Sequence, residues 1–150
     1  MDHLPTVRLS SKNQMTLPKS TDMVRGLEEG NSVYAIPFHM THEETGDRFP
    51  VLRVLTEEGK RQREQEILGD TSLSRPQQSR LLTLMNGQAA RMTVDRQNRV
   101  VLPSHLVRFI GVKAEVYIFE SNGALMAWNP DDWERYAQIE ESDDLASYLT

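Results

Sequence analysis

Two stretches of the chain alternate apolar and polar positions in the same way. Val7 and Leu9 precede the polar run SSKN, and Met15 and Leu17 follow it; Met92 and Val94 precede DRQN, and Val100 and Leu102 follow it. A period of two sends successive side chains to opposite faces of an extended chain, so each stretch predicts a strand, a tight turn and a second strand with one buried face. At an offset of 85, residues 10–27 (SSKNQMTLPKSTDMVRGL) fall on 95–112 (DRQNRVVLPSHLVRFIGV), and Asn13, Leu17, Pro18 and Gly26 coincide with Asn98, Leu102, Pro103 and Gly111. These coincidences fall where backbone geometry is decided, which makes the repeat credible. Asn13 and Asn98 suit a turn residue at positive φ. Pro18 and Pro103 suit a strand-to-helix junction, opening a helix at its first turn, and Gly26 and Gly111 suit the left-handed residue that ends it.

Beyond the repeated motif, strands are predicted over 33–38 and 49–55 in the first half and over 115–120 and 124–128 in the second, with Asn122 and Gly123 as a two-residue hairpin turn. Each half closes with a polar helix. Thr56 caps one that runs to Leu68, with Gly59 as its weak point; Asn129 caps the other, with Pro130 in its first turn and Asp131 and Asp132 at the positive end of the helix dipole. A further helix is expected over 76–85. The reading is a mixed α+β chain of two hairpin repeats packed as an intrachain pseudo-dimer, residues 5–68 and 79–138, joined by a linker over 69–78 and followed by an acidic tail over 139–150.

Composition changes this picture in three ways. There are no cysteines among the 150 residues, which excludes disulfides, thiol catalysis and cysteine-based zinc sites and leaves packing and self-association to hold the fold. No run approaches the ~20 apolar residues of a membrane helix, and the start MDHLPTVRLS lacks a basic stretch followed by an apolar core, so an intracellular, cytoplasmic protein is expected. The net charge of -5 argues at first against a nucleic-acid partner. Its distribution reverses that argument: residues 1–25 carry +2 and 85–113 carry +4, while 26–84 carry -3 and 114–150 carry -8. Both hairpin motifs are therefore locally basic in an acidic chain.

The motif DRQNRVVLPSHLVRFIGV, preceded by SRLLTLMNGQAARMTV and followed by a strand pair ending in MAWNPDDWERY, resembles the second half of MraZ, a family of bacterial transcription regulators with two AbrB-like swapped-hairpin units per chain. VRLSSKNQMTLPKSTDMVRGLEEGNSVYAIP is similar to the same unit and to AbrB and antitoxin DNA-binding hairpins. The family's hairpin reads D-x-K-G-R, then an apolar pair and Pro. Asp95, Arg99 and Pro103 match it, with Gln97 in place of Lys and Asn98 in place of Gly; in the first repeat Lys12 and Pro18 match, with Ser10 and Gln14 replacing Asp and Arg. Val107 stands where the family usually carries Arg, and Arg108 follows it. The resemblance implies tandem swapped-hairpin β-barrel repeats, a ring-shaped homo-oligomer, nucleoid association, and sequence-specific binding to double-stranded DNA at promoter repeats ahead of a division and cell-wall gene cluster.

On that reading Arg96 and Arg99 are the principal DNA contacts, Arg91 supports them from the leading strand, and Arg8, Lys12 and Gln14 are their counterparts in the first repeat. Arg can donate two bonds to guanine and Gln can bond adenine. The bland alternative is that Asp95 and Arg99 form a cross-strand ion pair contributing roughly 0.2–1 kcal/mol, with the other cations merely solvated. The competing function is an antitoxin-like or scaffold interaction module that keeps the fold without binding DNA. His39 and His42 read as part of a surface loop, and Trp128 and Trp133 as core. No metal, cofactor or small-molecule substrate is expected, and no Ser, His, Asp arrangement or Gly-rich phosphate loop suggests an enzyme. The tail reads as a segment without fixed structure or a short amphipathic one using Leu145, Tyr148 and Leu149; its acidity suggests an electrostatic shield for the basic hairpins.

Overall fold

A computed structural model describes residues 5–138; the expectations for the tail fall outside the described residues. The first motif forms β1 (Thr6–Arg8) and β2 (Gln14–Thr16), followed by α1 (Asp22–Arg25); β3 (Ser32–Thr41) and β4 (Arg48–Thr56) make a long hairpin. Then come α2 (Glu57–Gly69) and α3 (Arg75–Gln88). The second motif gives β5 (Ala90–Thr93), β6 (Arg99–Val101) and α4 (Ser104–Ile110), and β7 (Glu115–Ser121), β8 (Ala124–Trp128) and α5 (Pro130–Gln138) complete the chain.

The strands of each repeated motif pair with the other half. β1 pairs with β7 of the second half, β5 pairs with β3 of the first, and β2 pairs with β6. The result is a six-stranded antiparallel sheet in the order β1-β7-β8-β4-β3-β5 and a two-stranded ribbon β2-β6. The sheet order reads the same under exchange of the halves, as a pseudo-twofold axis requires. That axis passes through the Met15–Val100 rung of the ribbon and the Arg53–Met126 rung of the sheet. The expected α+β pseudo-dimer of swapped hairpins is thus borne out.

Strand alternation divides the apolar side chains between two cores. Inside the sheet, Val33, Leu52, Val54, Val116, Leu125 and Ala127 pack against Met15, Leu17, Val100 and Leu102 of the ribbon. On the outer face, Phe49, Val51, Met126 and Trp128 pack with Trp133 and Tyr136 of α5. Trp128 is 1% exposed, as expected of a core residue, although its indole N–H finds no acceptor among the described residues.

The repeat holds at an offset of 85 only through the hairpins. Val7 pairs with Val116 and its equivalent Met92 with Val33, so the third strands are related by 116 − 33 = 83. Tyr34 pairs with Leu55 and Tyr117 with Trp128, so the fourth are related by 128 − 55 = 73. The first half is thus two residues longer between helix and strand, and ten longer across the following hairpin.

That extra length overturns one expectation. Gly111 has φ 68 and ends α4, but Gly26 has φ -87; the left-handed glycine of the first half is Gly30, at φ 90, in the longer turn held by the Glu28 N–H donating to the Asn31 side chain. Pro18 does not open a helix either. Its carbonyl accepts from the Thr21 hydroxyl, and Thr21 caps the one-turn α1, whereas Pro103 stands immediately before α4 and outside its first turn. His39 lies in β3, with its ring against Phe109, so it is not part of a loop. Helices take up half of 69–78: α2 reaches Gly69 and α3 starts at Arg75 behind a reciprocal Ser74–Gln77 capping box. The remaining caps follow the sequence: Thr56 accepts from the Gly59 N–H and Asn129 from the Asp131 N–H, and Asn122 and Gly123 both have positive φ.

Because the two halves complete each other's sheets, they unfold together. Leu17→Ala, at a fully buried ribbon position, is expected to cost about 2–5 kcal/mol and to lower the urea midpoint of a single transition seen alike by far-ultraviolet circular dichroism and Trp fluorescence. Two separate transitions would contradict the interleaving.

Candidate nucleic-acid interface

The turns at the two ends of the ribbon are built alike, although their sequences differ. In the second, the Asp95 carboxylate accepts from the backbone N–H groups of Gln97 and Arg99, both at 2.8 Å, and the Asn98 N–H donates to the Asp95 carbonyl. In the first, the Ser10 hydroxyl accepts from the N–H groups of Lys12 (3.2 Å) and Gln14 (3.0 Å), and the Asn13 N–H donates to the Ser10 carbonyl. Asn13 and Asn98 turn the chain at φ 62 and 59. Ser10 therefore substitutes for the Asp by doing the same structural work with a neutral oxygen.

Charge separates the two turns. Arg99 donates from Nε to Asp95 Oδ2 at 2.8 Å, a charge-assisted bond that restrains the guanidinium. The Arg99 backbone N–H bond, aided by the side-chain and Gln97 bonds and by the Arg99 charge, holds the Asp95 carboxyl below the usual carboxylate range, against a smaller opposing effect of desolvation. The cross-strand ion pair considered above thus exists, and it orients Arg99. Arg96 sits on the turn with its side chain 88% exposed and Glu29 at 4.0 Å.

Alternation settles what the ribbon presents outward. Met15 and Val100 point into the core, so Gln14 and Thr16 of β2 and Arg99 and Val101 of β6 face away from it, with Thr16 paired to Arg99 and Gln14 to Val101. Lys12 is exposed at one end of this face and Arg96 at the other. Asn13 and Asn98, the turn residues, are separated by about four ribbon residues, roughly 13 Å. The fold thus gathers Lys12, Gln14, Arg96 and Arg99 about one face. Arg8 is exposed at the end of β1, opposite Glu115.

Arg91 does not join them. It stands beside Tyr34 on the outer side of the sheet, donates to the Ser32 hydroxyl at 2.7 Å, and lines a cleft with Asp22, Glu57, Glu58 and Glu120. Pro18 and Pro103 shape the exits from the ribbon, and Val107 packs against the inner core while Arg108 is exposed. Sequence reasoning passed over Thr16, Val101, which is 56% exposed on the ribbon face, and Ser104, whose hydroxyl accepts from the Asn13 side chain. The alternation of Gln14 with Thr16 and of Arg99 with Val101 carried that signal, once β2 and β6 are known to pair.

This fold and face define a tandem AbrB-like swapped-hairpin chain with a polar ribbon between two exposed turns. The model of the MraZ protein family, described as antitoxin-like, matches residues 85–147. A transcriptional regulator MraZ from Acetivibrio thermocellus is 33% identical over 49 residues, 33% of this chain and 34% of that one. A second, from Finegoldia magna, is 29% identical over 86 residues, 56% of this chain and 60% of its own length. The chain thus spans about a third and about three-fifths of the relatives it matches. The chain is thus similar to the MraZ family over the part that carries the second hairpin, whose residues show the resemblance.

Asp95 is expected to titrate below the ordinary value of about 3.9. A depressed folded-state pKa means that its contribution is fully present above that ordinary value and is lost as pH falls through the lower folded value. Carbon-detected NMR of the side-chain carboxyl checks this; a midpoint at or above 3.9 would contradict the bonding described.

Proposed function

We propose that the protein is a DNA-binding transcriptional regulator of the MraZ type, a cytoplasmic, nucleoid-associated homo-oligomer that uses the β2·β6 ribbon and its turns on promoter repeats. The observation that carries this reading is the Arg99 guanidinium fixed by Asp95 on an exposed ribbon face, with Arg96 and Lys12 at its ends. A two-stranded ribbon fits the major groove, and an oriented guanidinium can bond guanine O6 and N7 at once. Arg96 and Lys12 supply phosphate contacts, Gln14 is the neutral reader of the first repeat, and Arg8 is a peripheral cation. Arg91, bonded to Ser32 on the other side of the sheet, acts on the fold rather than on DNA.

One ribbon contributes few phosphate contacts, and such binding is weak, with dissociation constants of about 10⁻⁴–10⁻⁶ M. Repetition around a ring facing spaced repeats raises affinity by avidity without any new contact. The names of the relatives support regulation of transcription, and the resemblance supports the ring and a division and cell-wall gene cluster as target. The protein acts by binding and carries out no catalysis.

Fluorescence anisotropy on a duplex with several spaced direct repeats, at 50 and 200 mM salt, tests the proposal. Arg99→Ala is expected to cost about 1–3 kcal/mol on the specific duplex and to relax base preference, whereas Arg96→Ala weakens all sequences alike and lowers the salt slope by about 1. Salt-insensitive behaviour, or no binding by a folded wild type, would transfer the reading to an antitoxin-like interaction module.

A further inference from the structure

The two outward-facing rungs of the β2·β6 ribbon are assembled from matching parts. The Leu17 N–H donates to the Asn98 carbonyl and the Leu102 N–H to the Asn13 carbonyl, on either side of the Met15–Val100 rung. Hydrogen-bonded and non-hydrogen-bonded rungs alternate in an antiparallel pair, so Gln14–Val101 and Thr16–Arg99 are the non-hydrogen-bonded ones. Their Cα atoms are therefore about 4.5 Å apart, with side chains closer than on the other rungs. Each sets one long polar side chain against one short branched side chain: Arg99 against Thr16, and Gln14 against Val101. At the offset of 85, Gln14 falls on Arg99 and Thr16 on Val101, so the rungs are equivalent in place and differ in chemistry.

Val101 is the most exposed large apolar residue among the described residues, at 56%. A lone exposed valine is ordinary on a protein surface; the position of this one gives it meaning. It stands across from Gln14, whose side-chain amide has no hydrogen-bond partner among the described residues. This end of the ribbon is also tied down, because the Asn13 side chain donates to the Ser104 hydroxyl at 3.2 Å and so links the first turn to the residues that follow β6. The position equivalent to Ser104 is Lys19, which offers no hydroxyl to the second turn. In the major groove an A·T pair presents the N7 acceptor and N6–H donor of adenine, which a Gln amide matches with two bonds, beside the 5-methyl group of thymine, which only an apolar contact can read. An amide and a branched apolar side chain on one close rung match those two edges of a single base pair.

We propose that the Gln14–Val101 rung reads an A·T pair, with Val101 against the thymine 5-methyl group and Gln14 on adenine N6 and N7. The inference rests on the DNA reading above and makes Val101 a specificity-determining residue of that same face. Val101 lies two residues from Arg99 on one side of β6, roughly 7 Å. That distance is about two base-pair steps of ~3.4 Å, so the A·T pair falls about two steps from the guanine that Arg99 bonds. The element read by one ribbon is therefore unsymmetrical, although the backbone that reads it is pseudo-symmetric. Thr16, beside Arg99, carries a hydroxyl as well as a methyl group and accommodates more than one base.

The probe is a pool of duplexes carrying random cassettes in spaced direct repeats, selected on the full-length protein. The selected site is then prepared with thymine or with uracil, which lacks only the 5-methyl group. Anisotropy is expected to show about fourfold weaker binding of the uracil form for each ribbon engaged, the effect of uncovering one methyl group. Val101→Ala, at an exposed position, is expected to keep the wild-type circular dichroism spectrum and to bind both forms alike, and Gln14→Ala to lose the A·T preference at that step. Equal binding of the two forms by a wild type that selects a site overturns the role of Val101 and leaves the DNA reading standing. Uracil sensitivity that persists in Val101→Ala, or selected sites without a fixed A·T pair, does the same. A folded wild type that binds no duplex of the pool overturns both.

Discussion

Everything in this chain depends on the pairing of β2 with β6 around the Met15–Val100 rung. Each strand has three residues, and a two-stranded ribbon that short has no stability of its own. It persists because Met15, Leu17, Val100 and Leu102 are clamped inside the sheet, each buried side chain contributing roughly 1.5–3 kcal/mol relative to exposure. To reach that rung each hairpin must leave its own half. β1 and β5 then have no place except at the edges β7 and β3 of the opposite half, and the sheet acquires its palindromic order. Burial at one rung thus dictates the topology, and it simultaneously turns Gln14, Thr16, Arg99 and Val101 outward.

The turns show how much sequence change that topology tolerates. Asp95 and Ser10 share no charge, yet each supplies one side-chain oxygen to two backbone N–H groups. The geometric requirement is an acceptor two and four residues ahead of its donors and an Asn able to adopt positive φ. Orienting an arginine is a separate requirement, which only the carboxylate meets. The first repeat therefore keeps the turn while exchanging Arg for Gln, so the two ends of one ribbon have the same shape and different chemistry.

The same distinction explains what was legible in the sequence. Positive φ at Asn13, Asn98 and Asn122 and the caps at Thr56 and Asn129 are local facts, decided within a few residues, and they were readable. The left-handed glycine at Gly30 instead of Gly26 was not, because two additional residues before β3 postpone the reversal without disturbing the motif upstream. The Asp95–Arg99 pair could be inferred from spacing, but its orienting effect could not. Arg91 shows the limit most clearly. Its parity with buried Met92 places it on the other side of β5, but which surface that side belongs to depends on a strand 59 residues away, whose Ser32 accepts its bond. Long-range pairing, rather than propensity, was the missing information.

An acidic chain can offer a basic face because its carboxylates and its exposed cations are gathered in different places. On the ribbon side the carboxylate nearest Arg99 is already bonded to it, and Glu29 stands 4.0 Å from an Arg96 that remains largely exposed. Asp22, Glu57, Glu58 and Glu120 instead line one cleft with Arg91, which the ribbon's outward face does not share. Exposed charges further apart than a Debye length, about 8 Å at physiological salt, are largely screened from one another. Net charge is therefore a poor guide here: a polyanion approaching the ribbon meets Lys12, Arg96 and Arg99, whereas Asp22, Glu57, Glu58 and Glu120 are gathered around Arg91. The swapped topology allows this, because it places both turns at the ends of the ribbon and sends the connecting helical hairpin α2–α3 to the outer face of β3 and β4.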